Sequence, residues 1–170
     1  MKHFSLTILF SFFTFASTFA THIVGGEMDL QAVKGQGEFT HQLNLNLYFD
    51  NINGNPGAID RTLTVGFFRK KDNFLIDYVT LSLTNNNLIS YTNPACVQTN
   101  TVQTRLIQYS VLLNLSSLDD PQGYYAVWER CCRNGVISNI QNPGDAGSTF
   151  YLEFPPTRQN GNNFTNSTPF

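Results

Sequence analysis

Cysteine, histidine and surface aromatics are the residues in this 170-residue chain whose chemistry could define a site. The chain has three cysteines, two of them adjacent at Cys131 and Cys132 and the third at Cys96. Zinc takes about four ligands in a structural site. Beyond the cysteines only His22 and His41 follow the leader, far apart in sequence, and no Cys-x-x-Cys redox motif occurs. Neighbours on a strand point to opposite faces, so one of Cys131 and Cys132 faces Cys96 and the other does not. A bond between the two neighbours would need a strained eight-membered ring. The expectation is a disulfide from Cys96 to Cys131 or Cys132, with one thiol left over. It closes a loop of about 35 residues and contributes roughly 3–4 kcal/mol by chain entropy.

Other constellations are weaker. Ile23-Val24-Gly25-Gly26 copies the processed start of trypsin-like proteases, but no His follows in an Ala-His-Cys setting. Gly144-Asp145-Ala146-Gly147-Ser148 also lacks the nucleophile arrangement, and the chain is short for two barrels. The oxygens of Asp50-Asn51-Ile52-Asn53-Gly54-Asn55-Pro56-Gly57 suit Ca²⁺ in type, yet the spacing misses the D-x-[DN]-x-[DN]-G pattern with its downstream Glu. Asp119-Asp120 reads as turn chemistry, and His41 reads as a capped core or edge histidine. The expectation is therefore no catalytic residue, no metal and no cofactor, hence no enzyme. Among the aromatics Trp128 reads as core, whereas Tyr124 and Tyr125 are the candidates to face a ligand, with a sugar as its class.

The elements that carry these residues begin after a leader. Lys2 and His3 precede a largely apolar run from Phe4 to Phe15 and then Ala16-Ser17-Thr18-Phe19-Ala20, the pattern of a secretory signal peptide over residues 1–20. The apolar run is too short for the ~20 residues a membrane-spanning helix needs. Export places the protein outside the cell or on its outer surface, and three cysteines fit an oxidising compartment. Removing the leader takes one of the 10 Lys+Arg and none of the 12 Asp+Glu, leaving a formal charge of −3 on the remaining 150 residues. That balance argues against nucleic acid as a partner. A chain this long buries enough surface for one domain.

Period-two alternation dominates the chain beyond the leader. Met28, Leu30 and Ala32 alternate after a Gly-Gly bend, and Phe39, His41, Leu43, Leu45, Leu47 and Phe49 share one face. Residues 63–69 and 74–83 flank Lys70-Lys71-Asp72-Asn73 as a β-hairpin. Asn85-Asn86-Asn87 predicts a turn into a short Leu88-Ile89-Ser90-Tyr91 strand. Residues 102–115 are apolar on both faces, as a central strand would be. The strand holding Tyr124, Trp128 and the paired cysteines comes next, and Thr149–Phe154 runs into Pro155-Pro156, which stops it. The expected fold is all-β: an antiparallel, Ig-like β-sandwich of about eight strands over residues 21–156 with no substantial helix. Residues 157–170 read as an Asn-rich linker or tail towards a further domain.

Thr21-His22-Ile23-Val24-Gly25-Gly26-Glu27 directly after the leader, with Arg130-Cys131-Cys132-Arg133-Asn134 and Ile137-Ser138-Asn139-Ile140 roughly 105 residues later, resembles the N-terminal module of large cell-surface proteins of Bacteroidota. Asn53-Gly54-Asn55-Pro56 and Asn93-Pro94 add to the likeness, which covers nearly all of residues 21–156. Such proteins are similar to gliding-motility-associated or adhesin-like substrates of the type IX secretion system, often continuing into Ig-like repeats and a sorting domain. The resemblance implies a non-catalytic module in adhesion, gliding motility or spacing, with neighbouring domains and a surface glycan or protein as partners. A carbohydrate-binding module using surface aromatics is the alternative. This chain departs from the family in two places. Tyr48-Phe49-Asp50-Asn51 stands where members carry Tyr-Arg-Asp-Cys, and a further family Cys near Thr101 is missing.

Overall fold

The computed structural model describes residues 22–93, 102–133, 137–159 and 162–165. Seven strands carry the fold: β1 (Ile23–Ala32), β2 (His41–Asp50), β3 (Thr62–Arg69), β4 (Phe74–Leu88), β5 (Thr104–Leu113), β6 (Tyr124–Arg130) and β7 (Ser148–Phe154). A two-residue pair, β8 (Arg158–Gln159) and β9 (Asn162–Asn163), follows. The only helical pieces among the described residues are short 3-10 turns at Pro56–Ala58 and Pro143–Asp145. The all-β expectation is borne out. No described helix is long and apolar enough to cross a membrane.

Strand pairing runs unbroken through one antiparallel sheet in the order β1-β2-β5-β4-β3-β6-β7. Where an Ig-like sandwich has two separately bonded sheets, a single hydrogen-bonded ladder here curls round the core and brings its two edges together. β1 packs against β7 at Gly26, where a Cβ would lie 2.7 Å from Cε1 of Phe150 and 2.6 Å from the Asn46 carbonyl oxygen. Glycine is what lets the edges meet.

The alternating patterns set the inner face. His41, Leu43, Leu45, Leu47 and Phe49 of β2 are all buried, and Leu63, Val65 and Phe67 of β3, Leu81 of β4 and Ile107 and Tyr109 of β5 join them. Tyr124, Ala126 and Trp128 of β6 and Leu152 and Phe154 of β7 complete the core. Phe39 does not extend the β2 stripe; it precedes the strand and is 39% exposed.

The β3–β4 hairpin forms as expected. Asn73 takes the left-handed turn conformation at φ 56°, and Asp72 caps the bend by accepting from Arg69 Nη2 at 2.7 Å and from the Phe74 N–H at 3.2 Å. β5 is central, between β2 and β4.

The run Asn85-Asn86-Asn87 is a correction: it does not turn but continues β4 against β5. The ladder supplies what asparagine otherwise seeks locally. Asn85 Nδ2 donates to Gln108 Oε1 at 3.0 Å and Arg105 Nη1 donates to Asn86 Oδ1 at 3.1 Å, beyond a bulge between Leu83 and Asn85. The short strand expected at residues 88–91 is accordingly absent; Leu88 closes β4, and residues 89–91 lie outside any strand.

The packed unit also reaches past Pro156, beyond the expected domain boundary. Thr157 is 1% exposed. Its hydroxyl donates to the Leu115 carbonyl at 2.5 Å, and the Phe164 N–H returns to the Thr157 carbonyl at 2.9 Å. Phe164 packs on the core, and the Ala32 N–H at the end of β1 donates to the Thr165 carbonyl at 2.9 Å. The described residues 157–159 and 162–165 lie as a strap across the sheet.

Candidate functional site

On the outer face of β4, β3, β6 and β7 the side chains that alternate away from the core form an aromatic platform. Strand register places Tyr78, Gly66, Val127 and Tyr151 across from one another in one row. Phe68 and Tyr125 pair in an adjacent row, so the platform is a product of register across four strands and of none alone.

The rings of Phe68 and Tyr125 are near-parallel, with centroids 5.1 Å apart and planes at 11°. Tyr125 and Tyr151 follow at 5.3 Å and 32°. Gly66 leaves the space into which the Phe68 ring folds, since a Cβ there would lie 2.7 Å from Phe68 Cε2 and 3.4 Å from Tyr78 Cε1. The result is an open groove of about 410 Å³, walled by Phe68, Tyr78 and Tyr125 and floored by Gly66 and Val127, with Thr64 and Glu129 among its lining. Tyr78 is 61% and Tyr151 51% exposed.

Polar partners hold the rings in place. The Tyr125 hydroxyl donates to Asn73 Oδ1 at 3.1 Å, tying the platform to the hairpin bend. The Tyr151 hydroxyl donates to Glu153 Oε1 at 2.5 Å, and Glu153 is itself ion-paired with Lys70. Lys70, then Tyr151, hold the Glu153 carboxyl below the usual carboxylate range. Desolvation, with the Glu153 carboxylate beside it, pushes the Tyr151 phenol up to about 12. Tyr151 therefore stays neutral and hydrogen-bonded at any ordinary pH.

The two tyrosines expected to face a ligand part company here. Tyr125 lies on the platform, half-buried at its centre. Tyr124 points the other way: it is 4% exposed, stacks on Phe154 at 5.8 Å and accepts from the Asp120 N–H at 2.8 Å. Tyr124 is core because adjacent strand positions face opposite sides. Trp128 is core too, 6% exposed and against Phe150 at 5.3 Å. Phe68, Tyr78, Gly66 and Tyr151 were missed from sequence. Their signal is the outward parity of the β3–β4 hairpin and β7, which only the register joins to Tyr125.

The histidines stand apart. The His22 ring packs edge-on against Phe49 at 6.5 Å. His41 sits at the other end of β2, roughly 27 Å away along an extended strand. His41 is fully buried, with Nε2 donating to the Phe164 carbonyl at 2.9 Å and Nδ1 2.9 Å from the Thr40 hydroxyl. Desolvation lowers its pKa, and the bond to Phe164 offsets this only in part. His41 is a capped core histidine, as read from its place on the apolar face.

The side-chain oxygens of Asp50 and Asn55 are engaged within the 50–57 loop, and Asn51 Oδ1 accepts from Arg105 Nε at 2.9 Å. Asp50 Oδ1 accepts from the Ile52 and Asn53 N–H groups at 3.0 and 3.1 Å, and Asn55 Oδ1 accepts from the Gly57 N–H at 2.9 Å. Burial alone would raise the Asp50 pKa, but the bonds from Asn53 and Ile52 bring it below the ordinary value. Among the described residues no three His, Cys, Asp or Glu side chains gather as metal ligands would.

Cys96 lies outside the described residues, and with it the expected bridge to Cys131 or Cys132. The premise about the adjacent pair is corrected. β6 stops at Arg130, Cys132 adopts φ 71°, and the two Sγ atoms meet 2.6 Å apart instead of pointing to opposite faces. Gly25 and Gly26 do not form the expected bend but lie within β1, paired with Tyr48 and Leu47, and this end of β1 converges with the cysteine segment. Ile23, Val24, Gly25 and Gly26 line one small cleft with Arg133, Ile137 and Phe150. No known protein family, curated protein or solved structure matches this chain.

Proposed function

We propose that this chain is a non-catalytic β-module of an exported cell-surface protein, serving adhesion, and that its outer aromatic platform docks carbohydrate. The observation that carries the reading is the contiguous ring series of Phe68 stacked on Tyr125 and Tyr151 tilted against it, beside an open groove. A sugar ring has an apolar C–H face that pairs with aromatic surface and a polar edge that needs hydrogen-bond partners. Thr64, Glu129 and the Tyr78 hydroxyl stand round the groove to serve that edge. Rigid two-torsion aromatics give contact area at low entropic cost. Glu153, Lys70 and Asn73 are engaged in holding the rings, a support role and not a chemical one. Export, a cell-surface setting and the link to adhesion or gliding motility rest on the leader and on the resemblance of residues 21–156. A structural spacer would need no such platform.

Glycan-array binding by the mature chain, residues 21–170, tests the reading. Tyr125→Ala is expected to weaken binding of any captured glycan at least about tenfold, or roughly 1.4 kcal/mol, with the unfolding temperature little changed. Gly66→Val, which fills the groove and displaces Phe68, should weaken binding likewise from the floor. Failure to capture any glycan, or equal binding by both variants, would return the module to a spacer.

A further inference from the structure

We propose that Cys131 and Cys132 form a reversible dithiol–disulfide pair, a redox site at the end of β6 that is independent of the aromatic platform. The two Sγ atoms lie 2.6 Å apart, about 0.6 Å beyond a covalent S–S bond. The left-handed backbone at Cys132 swings its sulfur onto the same side as that of Cys131, which extended neighbours cannot do. The pair is held from both sides. Arg130 is ion-paired with Asp60 and donates to the Ala58 carbonyl at 3.0 Å. The Arg133 N–H donates to the carbonyls of Pro143 and Ala146, both at 3.0 Å.

The geometry assigns the two sulfurs different parts. Cys131 is exposed and lines a cleft of about 360 Å³ with Glu129, Arg130, Gly147, Ser148 and Thr149, room for a small disulfide oxidant. The Cys131 sulfur beside Cys132, ahead of desolvation, raises the Cys132 pKa. Cys131 is thus the sulfur an oxidant meets, and Cys132 resolves. Thiolate Cys131 attacks a disulfide such as oxidised glutathione, forming a mixed disulfide and releasing one thiolate. Cys132 then attacks Cys131 Sγ, loses its proton and expels the second thiolate. One small disulfide is reduced to two thiols and one protein disulfide is made, so electrons and atoms balance.

The ring is strained, because Cα atoms joined by one trans peptide are about 3.8 Å apart and disulfides usually span about 4.4–6.8 Å. Strained disulfides are the readily reduced ones. Cys131–Cys132 is therefore a switch and not a staple.

The test is a series of glutathione buffers from fully reduced to fully oxidised, read by intact mass and by unreduced peptide mapping after alkylation. Wild-type protein and Cys96→Ser should both lose two hydrogens, with Cys131 and Cys132 protected together in one peptide. The protection should be lost again in excess reduced glutathione. Cys96→Ser/Cys131→Ser should instead gain only a mixed disulfide with glutathione. Wild-type protein needs no substitution to fold, so its map decides the matter even where a variant is unstable. A wild-type map whose bridge joins Cys96 to either cysteine overturns the proposal. So does Cys96→Ser protein that keeps two alkylatable thiols throughout, or a vicinal bond that excess reduced glutathione leaves intact.

Discussion

His41 shows how one buried side chain couples this fold to pH. Its folded pKa lies below the ordinary value, burial being the main cause, so the unfolded chain binds the proton more readily. The stability this group contributes is full above its unfolded pKa of about 6.5. It is lost as the pH falls below that value towards the folded pKa. Urea midpoints should fall between about pH 7.5 and pH 5, and His41→Gln, which keeps a donor for the Phe164 carbonyl, should flatten that fall. An equal slope in the variant would show that another group carries it. The sequence already told that His41 is on the inner face, because its neighbours alternate around it. Which carbonyl caps it could not be read, since Phe164 is 123 positions away. The paired tyrosines were legible: with Trp128 read as core, period two puts Tyr124 on its side and Tyr125 on the other.

At the level of elements, the seam between β1 and β7 is the most demanding junction. A Cβ on Gly26 would lie within 3 Å of Asn46 O, Phe150 Cε1 and Leu47 Cδ2. One of these is backbone, which cannot swing aside. Gly26→Ala should therefore destabilise by about 1–3 kcal/mol, seen as a lower urea midpoint, whereas Gly35→Ala probes backbone conformation alone. Gly35 has nothing within 4 Å and a φ of 72°, so its cost is the smaller left-handed penalty of about 1 kcal/mol. If the two variants unfold alike, the seam is not tightly packed. The β3–β4 hairpin was legible because its turn is local. The Asn85–Asn87 stretch was not, because its preference for a turn is overridden by bonds to β5, a partner twenty-odd positions away.

For the whole molecule, the strap of residues 157–159 and 162–165 belongs to the folded unit. It closes hydrogen bonds from Thr157 to Leu115 and Leu118, from Phe164 to Thr157 and from Ala32 to Thr165, and it lays Phe164 over the core. At about 1 kcal/mol net per bond, with part of a Phe side chain buried besides, a chain ending at Pro156 should lose about 3 kcal/mol or more. Chemical denaturation of residues 21–156 beside residues 21–170 measures this, and matching midpoints would make the strap an ornament. The truncation also removes the His41 cap, so its pH dependence should change with it.

The sequence by itself determined that this is an all-β chain, because period-two alternation and turn residues act within a few positions and need no partner. It determined which residues of β2 face inward, and that Trp128 packs in the core. Only the tertiary structure decided that one ladder curls until β1 meets β7. It also decided that Phe68, Tyr125 and Tyr151 align over three strands, that two neighbouring sulfurs leave the strand and touch, and that the chain folds back over its own sheet. These depend on register and closure between segments tens of residues apart, which local periodicity does not encode.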